Sequence, residues 1–209
     1  MSNLQIFSTA CHFAALKHKD QRRKNAEKTP YINHPLEVAS FLSEHGVDCL
    51  DALCAAVLHD TIEDTETTKE DLIMKFGENV CSIVLECSDD KSIDKVERKK
   101  LQVTRAKHAS LGARLVKLGD KWSNINSLLM SPPTWWSRER IRGYVIWSCE
   151  VCRNACFENT TGFSEHPIFM LDTIWKKLVE LFEKFSVFPC AENSLELEKY
   201  YTSLANNND

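Results

Sequence analysis

Apolar residues in this chain recur at three- and four-residue spacing, as in IFMLDTIWKKLVELFEKF at 168–185. The alternation that a half-buried strand needs is scarce. Glycine and proline number six each, so the chain offers few breaks. The pattern predicts an all-α fold, a compact multi-helix bundle. A first helix is expected over Leu4–Lys19, followed by the polar, basic loop DQRRKNAEKTPYIN. Pro35 suits the first turn of a second helix that runs to His45. Asp51 opens a third. TTKEDLIMKFG reads as a short helix capped by Thr67 or Thr68, with acids in its first turn and Gly77 as its stop. Further helices are expected at 78–88, 95–107, 112–130, 137–156 and 168–186. A weak final helix falls near 194–204, and NNND reads as a frayed tail.

A length of 209 residues suits one domain with a sizeable core. Lys+Arg 26 against Asp+Glu 30 leaves a net charge of −4, which argues against broad binding of nucleic acid through its phosphates. A local basic pocket can still hold a small anion. The nine cysteines are an odd number scattered among apolar residues, unlike a disulfide framework. The N-terminus lacks an apolar core of signal-peptide length, and no stretch is long enough to span a membrane. These features lead to the expectation of a reduced, cytoplasmic setting.

The stretch LCAAVLHDTIEDT at 53–65 runs from an apolar, alanine-rich helix straight into His59, Asp60, Glu63 and Asp64. An unpaired charge near a core is costly, so such a cluster calls for a cause. Helix neighbours lie about 100° apart. His59 and Asp60 therefore reach one ion only at the edge or end of a helix. His34 stands before a helix start in YINHP, and Asp120 lies within the apolar run ARLVKLGDKWSN. Two imidazoles and two carboxylates suit Mn²⁺, Fe²⁺ or Zn²⁺ better than Ca²⁺. Glu63 follows His59, and Asp64 follows Asp60, by four residues, which on a helix places each pair on one face. Acids at a helix C-terminus oppose its dipole, so local stability does not explain them.

The order H…HD…D is the pattern of HD-domain phosphohydrolases. TPYINHPLEVA, AAVLHDTIEDT, FG, DDK, ERKKLQ and ARLVKLGDKWSN, in that order, resemble the hydrolase domain of the RelA/SpoT proteins. Within these, the chain is most similar to the small metazoan SpoT homologues, the Mesh family. The resemblance covers about residues 7–150 and fades from Cys156 onward. It implies an HD-type hydrolase core at 1–156. A helical extension at 157–209 would pack on the same domain.

The resemblance also implies an Mn²⁺-dependent removal of the 3′-pyrophosphate of (p)ppGpp, and an NADPH phosphatase activity. Its metal ligands fall on His34, His59, Asp60 and Asp120, and its catalytic acidic pair on Glu63 and Asp64. A divalent metal would activate water and offset phosphoryl charge. The acids would orient or deprotonate the water, or protonate the leaving group.

Because the chain is net acidic, local cations must attract the substrate. Arg23, Lys24 and Lys121 lie beside the ligand motifs and are expected to bind it. Lys91, Arg98, Lys99, Lys100 and Lys117 are weaker candidates. Asn124, Tyr31 and Tyr144 are expected at the substrate as well. The expected partner is a small anionic nucleotide, with no nucleic acid and no membrane; a homodimer is left open.

Cys149, Cys152 and Cys156 share one helix face and read as packed thiols rather than a zinc site. Trp135-Trp136 reads as a packed turn, and His12 and His18 as surface or packing residues of the first helix. Three positions depart from the family pattern. Gly119 replaces the usual alanine, at a helix cost of up to about 1 kcal/mol. Trp122 and Ser123 replace a Leu-Tyr type of pair and are expected to reshape the pocket wall. Two other functions stay open: a 5′-nucleotidase type of HD enzyme, and a nucleotide sensor without turnover.

Overall fold

Side-chain caps set many of the helix starts in the computed structural model, which describes residues 2–189 and 193–206. Ser2 and Gln5 form a reciprocal capping box at the start of α1 (Asn3–Lys17). α2 spans Asn33–Glu44 with Pro35 in its first turn, where a missing amide hydrogen costs nothing. α3 spans Leu50–Leu58, and a single turn, α4, spans Thr61–Asp64. Thr68 and Asp71 cap α5 (Lys69–Phe76), so Thr68 rather than Thr67 is the cap. Gly77 separates α5 from α6 (Glu78–Cys87). Asp94, Ser110 and Ser137 cap α7 (Lys95–Ala106), α8 (Leu111–Met130) and α9 (Arg138–Phe157). α10 spans Glu165–Glu183 and α11 Asn193–Asn206.

α10 starts earlier than the sequence suggested, because Pro167 fits its first turn and need not mark the boundary. The loop before it is shorter as a result. Residues 207–209 of the expected frayed tail lie outside the described residues. Among the described residues, β structure is confined to one bridge between Arg22 and Pro30. Arg23 N donates to Thr29 O at 2.9 Å and Tyr31 N to Gln21 O at 3.0 Å, so the basic loop closes on itself.

α8 is the central element. It packs against α2, α3, α6, α9 and α10, while α11 lies on α9 and α7. The core around it includes Leu42, Leu58, Leu118, Ile125, Trp147, Ile174 and Phe182. Cys149, Cys152 and Cys156 are buried in this core outside any disulfide. Arg114 of α8 is 2% exposed, yet it faces no carboxylate. Its guanidinium donates to the carbonyls of Lys107, Ala109, Ala155, Glu158 and Asn159 at 2.6–3.3 Å. One side chain thereby satisfies the turn before α8 and the end of α9, where helical carbonyls lack partners.

Gly119 has a packing reason that its sequence context did not reveal. A Cβ there would lie 2.9 Å from Val38 Cγ1 and 3.1 Å from Leu42 Cγ. The hydrogen lets α2 approach α8 closely, and these two helices carry His34 and Asp120. Gly119→Ala should therefore destabilise the fold despite alanine's better helix propensity, because overpacking costs about 1–3 kcal/mol against about 1 kcal/mol gained. Thermal unfolding checks this: a fall of about 2–4 °C is expected for each net kcal/mol. A rise would refute the tight approach.

Candidate metal centre and adjoining cleft

The HD dipeptide sits where α3 stops. The last two turns of α3, Cys54–Leu58, are buried throughout. His59 Nδ1 then meets Ala56 O at 2.8 Å, and the Thr61 hydroxyl donates to Leu58 O at 2.7 Å. These side chains take carbonyls that α3 would otherwise offer to a further turn. A fresh turn follows, with Asp64 N donating to Asp60 O at 2.9 Å. Asp60 and Asp64 keep the expected one-turn relation. Between His59 and Glu63 the helix is interrupted, although both residues of the break, His59 and Asp60, keep helical backbone angles. All four still line one cavity.

His34, in the first turn of α2, and Asp120, midway along α8, complete the cluster. His34 Nε2 lies 3.2 Å from Asp120 Oδ1 and 3.7 Å from Asp60 Oδ2. His59 Nε2 lies 3.0 Å from Asp60 Oδ2 and 3.7 Å from Asp120 Oδ1. One donor atom from each of His34, His59 and Asp120 falls within 4.8 Å of the others. Asp60 is the outlier of the four: it borders both imidazoles, and its Oδ2 accepts the Tyr31 hydroxyl at 2.6 Å.

This donor set fits a divalent cation. Ser123 Oγ donates to Glu37, so it accepts from His34 Nδ1–H at 2.8 Å. His59 Nδ1–H points at a carbonyl. Both rings are thus held in the tautomer that leaves Nε2 bare, as metal-bound histidines are. His59 Nε2 is buried with no aligned hydrogen-bond partner, although a carboxylate oxygen lies close by. Burial alone would lower the His59 pKa, but Asp60 and Asp120 outweigh it and hold it well above the usual value. Burial dominates at His34 and lowers its pKa. Against burial, Lys121 and the two imidazoles hold Asp120 well below the carboxylate range. The carboxylates demand positive charge here, and a cation supplies it with both imidazoles neutral.

The cleft has two lobes. The inner one, about 230 Å³, is lined by the cluster with Glu63, Asp64, Lys99, Gln102, Lys117, Lys121 and Trp147. The outer one, about 360 Å³, is lined by Arg22, Arg23, Lys24, Trp136 and Pro133 among others. Tyr31, Asp64, Asn124 and Tyr144 line both. The residues expected to hold metal, act on water or bind substrate therefore border the cleft, with Lys24 at an exposed edge, whereas the weaker candidates Lys91, Arg98 and Lys100 line neither lobe.

Some face inward more than expected. Lys121 Nζ donates to Asp120 Oδ2 at 2.7 Å, and Asn124 Nδ2 to Asp120 Oδ1 at 2.6 Å. Arg23 Nη2 donates to Asn124 Oδ1 at 2.8 Å. Glu63 accepts from Asp89 N at 2.9 Å. Burial raises its pKa, with help from the charge of Asp89. Asp64 pairs with Lys91 at 2.6 Å. Burial pushes Tyr144 up to about 12.

The reading from sequence missed Gln102, which holds Asp89 at 2.7 Å, and Trp147. Lys99 and Lys117, weaker candidates by sequence, both line the inner lobe. Lys117, one turn before Asp120, carried the signal of a shared helix face. Trp136, read only as a packed turn, packs on Tyr144 at 5.6 Å and also walls the outer lobe.

The HD domain family matches residues 10–141. A Xenopus tropicalis protein, guanosine-3′,5′-bis(diphosphate) 3′-pyrophosphohydrolase MESH1, is 50% identical over 153 residues, 73% of this chain and 86% of that protein. The chain belongs to the MESH1 family of HD-domain proteins. The Drosophila melanogaster MESH1 is 40% identical over 172 residues, 82% of this chain and 93% of that protein. A solved structure described as "A metazoan ortholog of SpoT hydrolyzes ppGpp and plays a role in starvation responses" matches with a TM-score of 0.71. It shares 39% identity, covering 82% of this chain and 94% of that one.

Trp122 and Ser123, expected to reshape the pocket wall, line neither lobe. Trp122 stacks on Phe41 with centroids 4.1 Å apart, on the α2 side of α8. Ser123 is fully buried and relays Glu37 to His34. His12 is exposed, whereas His18 is buried and bonds Gln21 at 2.7 Å. Ser123→Ala should loosen His34 and weaken metal binding by about 10–100-fold, the scale of a lost supporting hydrogen bond. Metal titration with a chelating competitor reads this. Unchanged affinity would remove Ser123 from the site.

Proposed function

We propose that this chain hydrolyses the 3′-pyrophosphate of ppGpp and pppGpp, giving GDP or GTP and pyrophosphate. The observation that carries the reading is the His34–His59–Asp120 donor cluster, opening onto a cation-lined cleft in a MESH1-family chain. Both MESH1 relatives bear the name of this pyrophosphohydrolase. His34, His59, Asp60 and Asp120 would hold the ion. Its nitrogen and oxygen donors suit Mn²⁺, the metal expected from the family resemblance. When bound, a divalent metal supplies Lewis acidity and offsets phosphoryl charge.

The remaining work falls to the protein. Water adds to the phosphorus on the ribose 3′-oxygen, and the bond from that phosphorus to the oxygen breaks. One hydrogen of the water ends on the 3′-hydroxyl, and its oxygen on the pyrophosphate. Glu63 is the group we assign to proton transfer, since it is half-buried with a raised pKa. Asp64, paired with Lys91, orients the reactants beside it. Lys99, Lys117 and Lys121 face the phosphates in the inner lobe. Arg23 and Lys24, with Tyr31, Asn124 and Tyr144, hold the nucleotide end in the outer lobe.

Among the described residues the cysteines form no disulfide, in keeping with the cytoplasmic setting proposed here. No helix of the described residues is long and apolar enough to cross a membrane.

The test is a metal-screened hydrolysis panel of ppGpp, pppGpp, NADPH and 5′-nucleotides, with products identified by mass. NADPH is included because the family resemblance implies a 2′-phosphatase activity. GDP and pyrophosphate are expected from ppGpp. Inorganic phosphate in place of pyrophosphate would rule this reaction out, and turnover of 5′-nucleotides alone would favour the generic HD enzyme. Asp120→Ala should lose bound metal and activity together while keeping its helical content. Glu63→Gln should keep its metal and lose about 10² or more in kcat, with KM changing far less. Loss of metal from Glu63→Gln would make Glu63 a ligand or a structural support.

A further inference from the structure

We infer that Tyr200 of the C-terminal helix α11 is a positioning residue for the cleft: its ring helps close an aromatic enclosure that aims the Lys99 ammonium at the bound polyphosphate. The inference rests on the function proposed above.

Lys99 lines the inner lobe from α7. What surrounds its ammonium is aromatic. Nζ lies 3.4 Å from the Trp147 ring centre, 5.0 Å from that of Tyr144 and 5.8 Å from that of Tyr200. The enclosure is built to fixed dimensions. Trp147 Nε1 donates to Lys99 O at 2.9 Å, which ties α9 to the α7 backbone. Tyr200 is 4% exposed and rests on Gly143 of α9. A Cβ at 143 would lie 2.5 Å from its Cδ2, so only glycine lets the ring sit this close. Arg142 Nη2 pairs with Glu196 at 2.9 Å, and the Lys100 ammonium lies 5.3 Å from the Tyr201 ring. These contacts fasten the same face of α11 to the wall of the cleft.

Ring faces attract an ammonium, while burial and the nearby Lys121 charge hold the Lys99 pKa well below its usual value, so an anion in the lobe favours the charged form. Lys121 Nζ lies 4.7 Å from the Trp147 ring as well. Two ammonium groups that share one ring repel each other, and the Asp120 carboxylate at 2.7 Å already answers Lys121, so Lys99 is the one left to meet an incoming anion. A substrate with several phosphates provides that anion. α11 lies beyond the 10–141 segment of the HD match. The chain thus adds a wall to a site whose metal ligands all fall within that segment.

The test uses the full-length, Mn²⁺-loaded protein and steady-state kinetics with ppGpp. Tyr200→Leu keeps apolar bulk but lacks a ring face, and should raise KM about fivefold with kcat nearly unchanged. Tyr200→Phe keeps the ring and should match the wild type. Lys99→Ala should raise KM more, and adding Tyr200→Leu to it should do no further harm, since the two act as a unit. Wild-type KM in Tyr200→Leu, an equal defect in Tyr200→Phe, or additive effects in the double variant would overturn the inference. Calorimetric binding of pyrophosphate to the same proteins separates the two levels of the argument. If the wild type does not hydrolyse ppGpp, the proposed function fails. The positioning role then stands only if Tyr200→Leu weakens pyrophosphate binding by a similar factor and Tyr200→Phe does not.

Discussion

Two carboxylates and two imidazoles share one small volume where α2, α3 and α8 meet, and bringing them there opposes folding. Burying an ion costs several kcal/mol in real proteins, on the order of the whole stability of a domain for a pair. The surrounding structure answers with directed polar contacts. Lys121 and Asn124 occupy the two oxygens of Asp120, and Tyr31 takes one oxygen of Asp60. Ser123 and the Ala56 carbonyl turn the imidazoles. Lys121, Ser123 and Asn124 all stand on α8, but Tyr31, His34 and His59 come from the basic loop, α2 and the end of α3, so the cluster forms only when these elements are packed together. The close approach of α2 to α8 over Gly119 is part of the same requirement, since these helices bring His34 to Asp120.

This dependence explains what could be read from the sequence. The periodicity of three and four gave the helices, because each buries a stripe defined by its own residues. His34, His59, Asp60 and Asp120 were legible because ionisable residues beside apolar helix sequence are anomalous on their own. The break after Leu58 was less visible, since it depends on the Thr61 hydroxyl reaching back to a carbonyl. Ser123 looked like a change in a pocket wall, because its partners lie far away in sequence on α2. Gly119 looked like a weak helix position for the same reason. Lys121 and Asn124 were placed at the right cleft, while their bonds to Asp120 required the folded α8. Lys99 was one cation among many until the rings of α9 and α11 surrounded it.

The negative total charge and the anionic substrate are reconciled by position. Acids gather at the His-Asp cluster, Lys121 and Lys117 stand one residue and one turn from Asp120 on α8, and Lys99 of α7 with Arg23 and Lys24 of the closed basic loop line the same cleft. An attached substrate would therefore span a boundary, with its phosphates between the ion and the lysines. Field strength in such a crevice depends on the nearest few charges rather than on the sum over the chain.

Arg114 and Arg142 show two ways to fasten a helix, and they differ in their response to salt. Arg142 meets Glu196 in a pair that is about two-fifths exposed on both sides, at 40% and 41%. Such pairs weaken as counter-ions screen them. Arg114 is 2% exposed and spends its charge on neutral carbonyls, which no dissolved ion can readily replace. Rising ionic strength should thus weaken this one tie of α11, while its buried Tyr200, Tyr201 and Leu204 and the junction of α8 and α9 hold. The last helix is held chiefly by what it buries, and salt reaches only its rim.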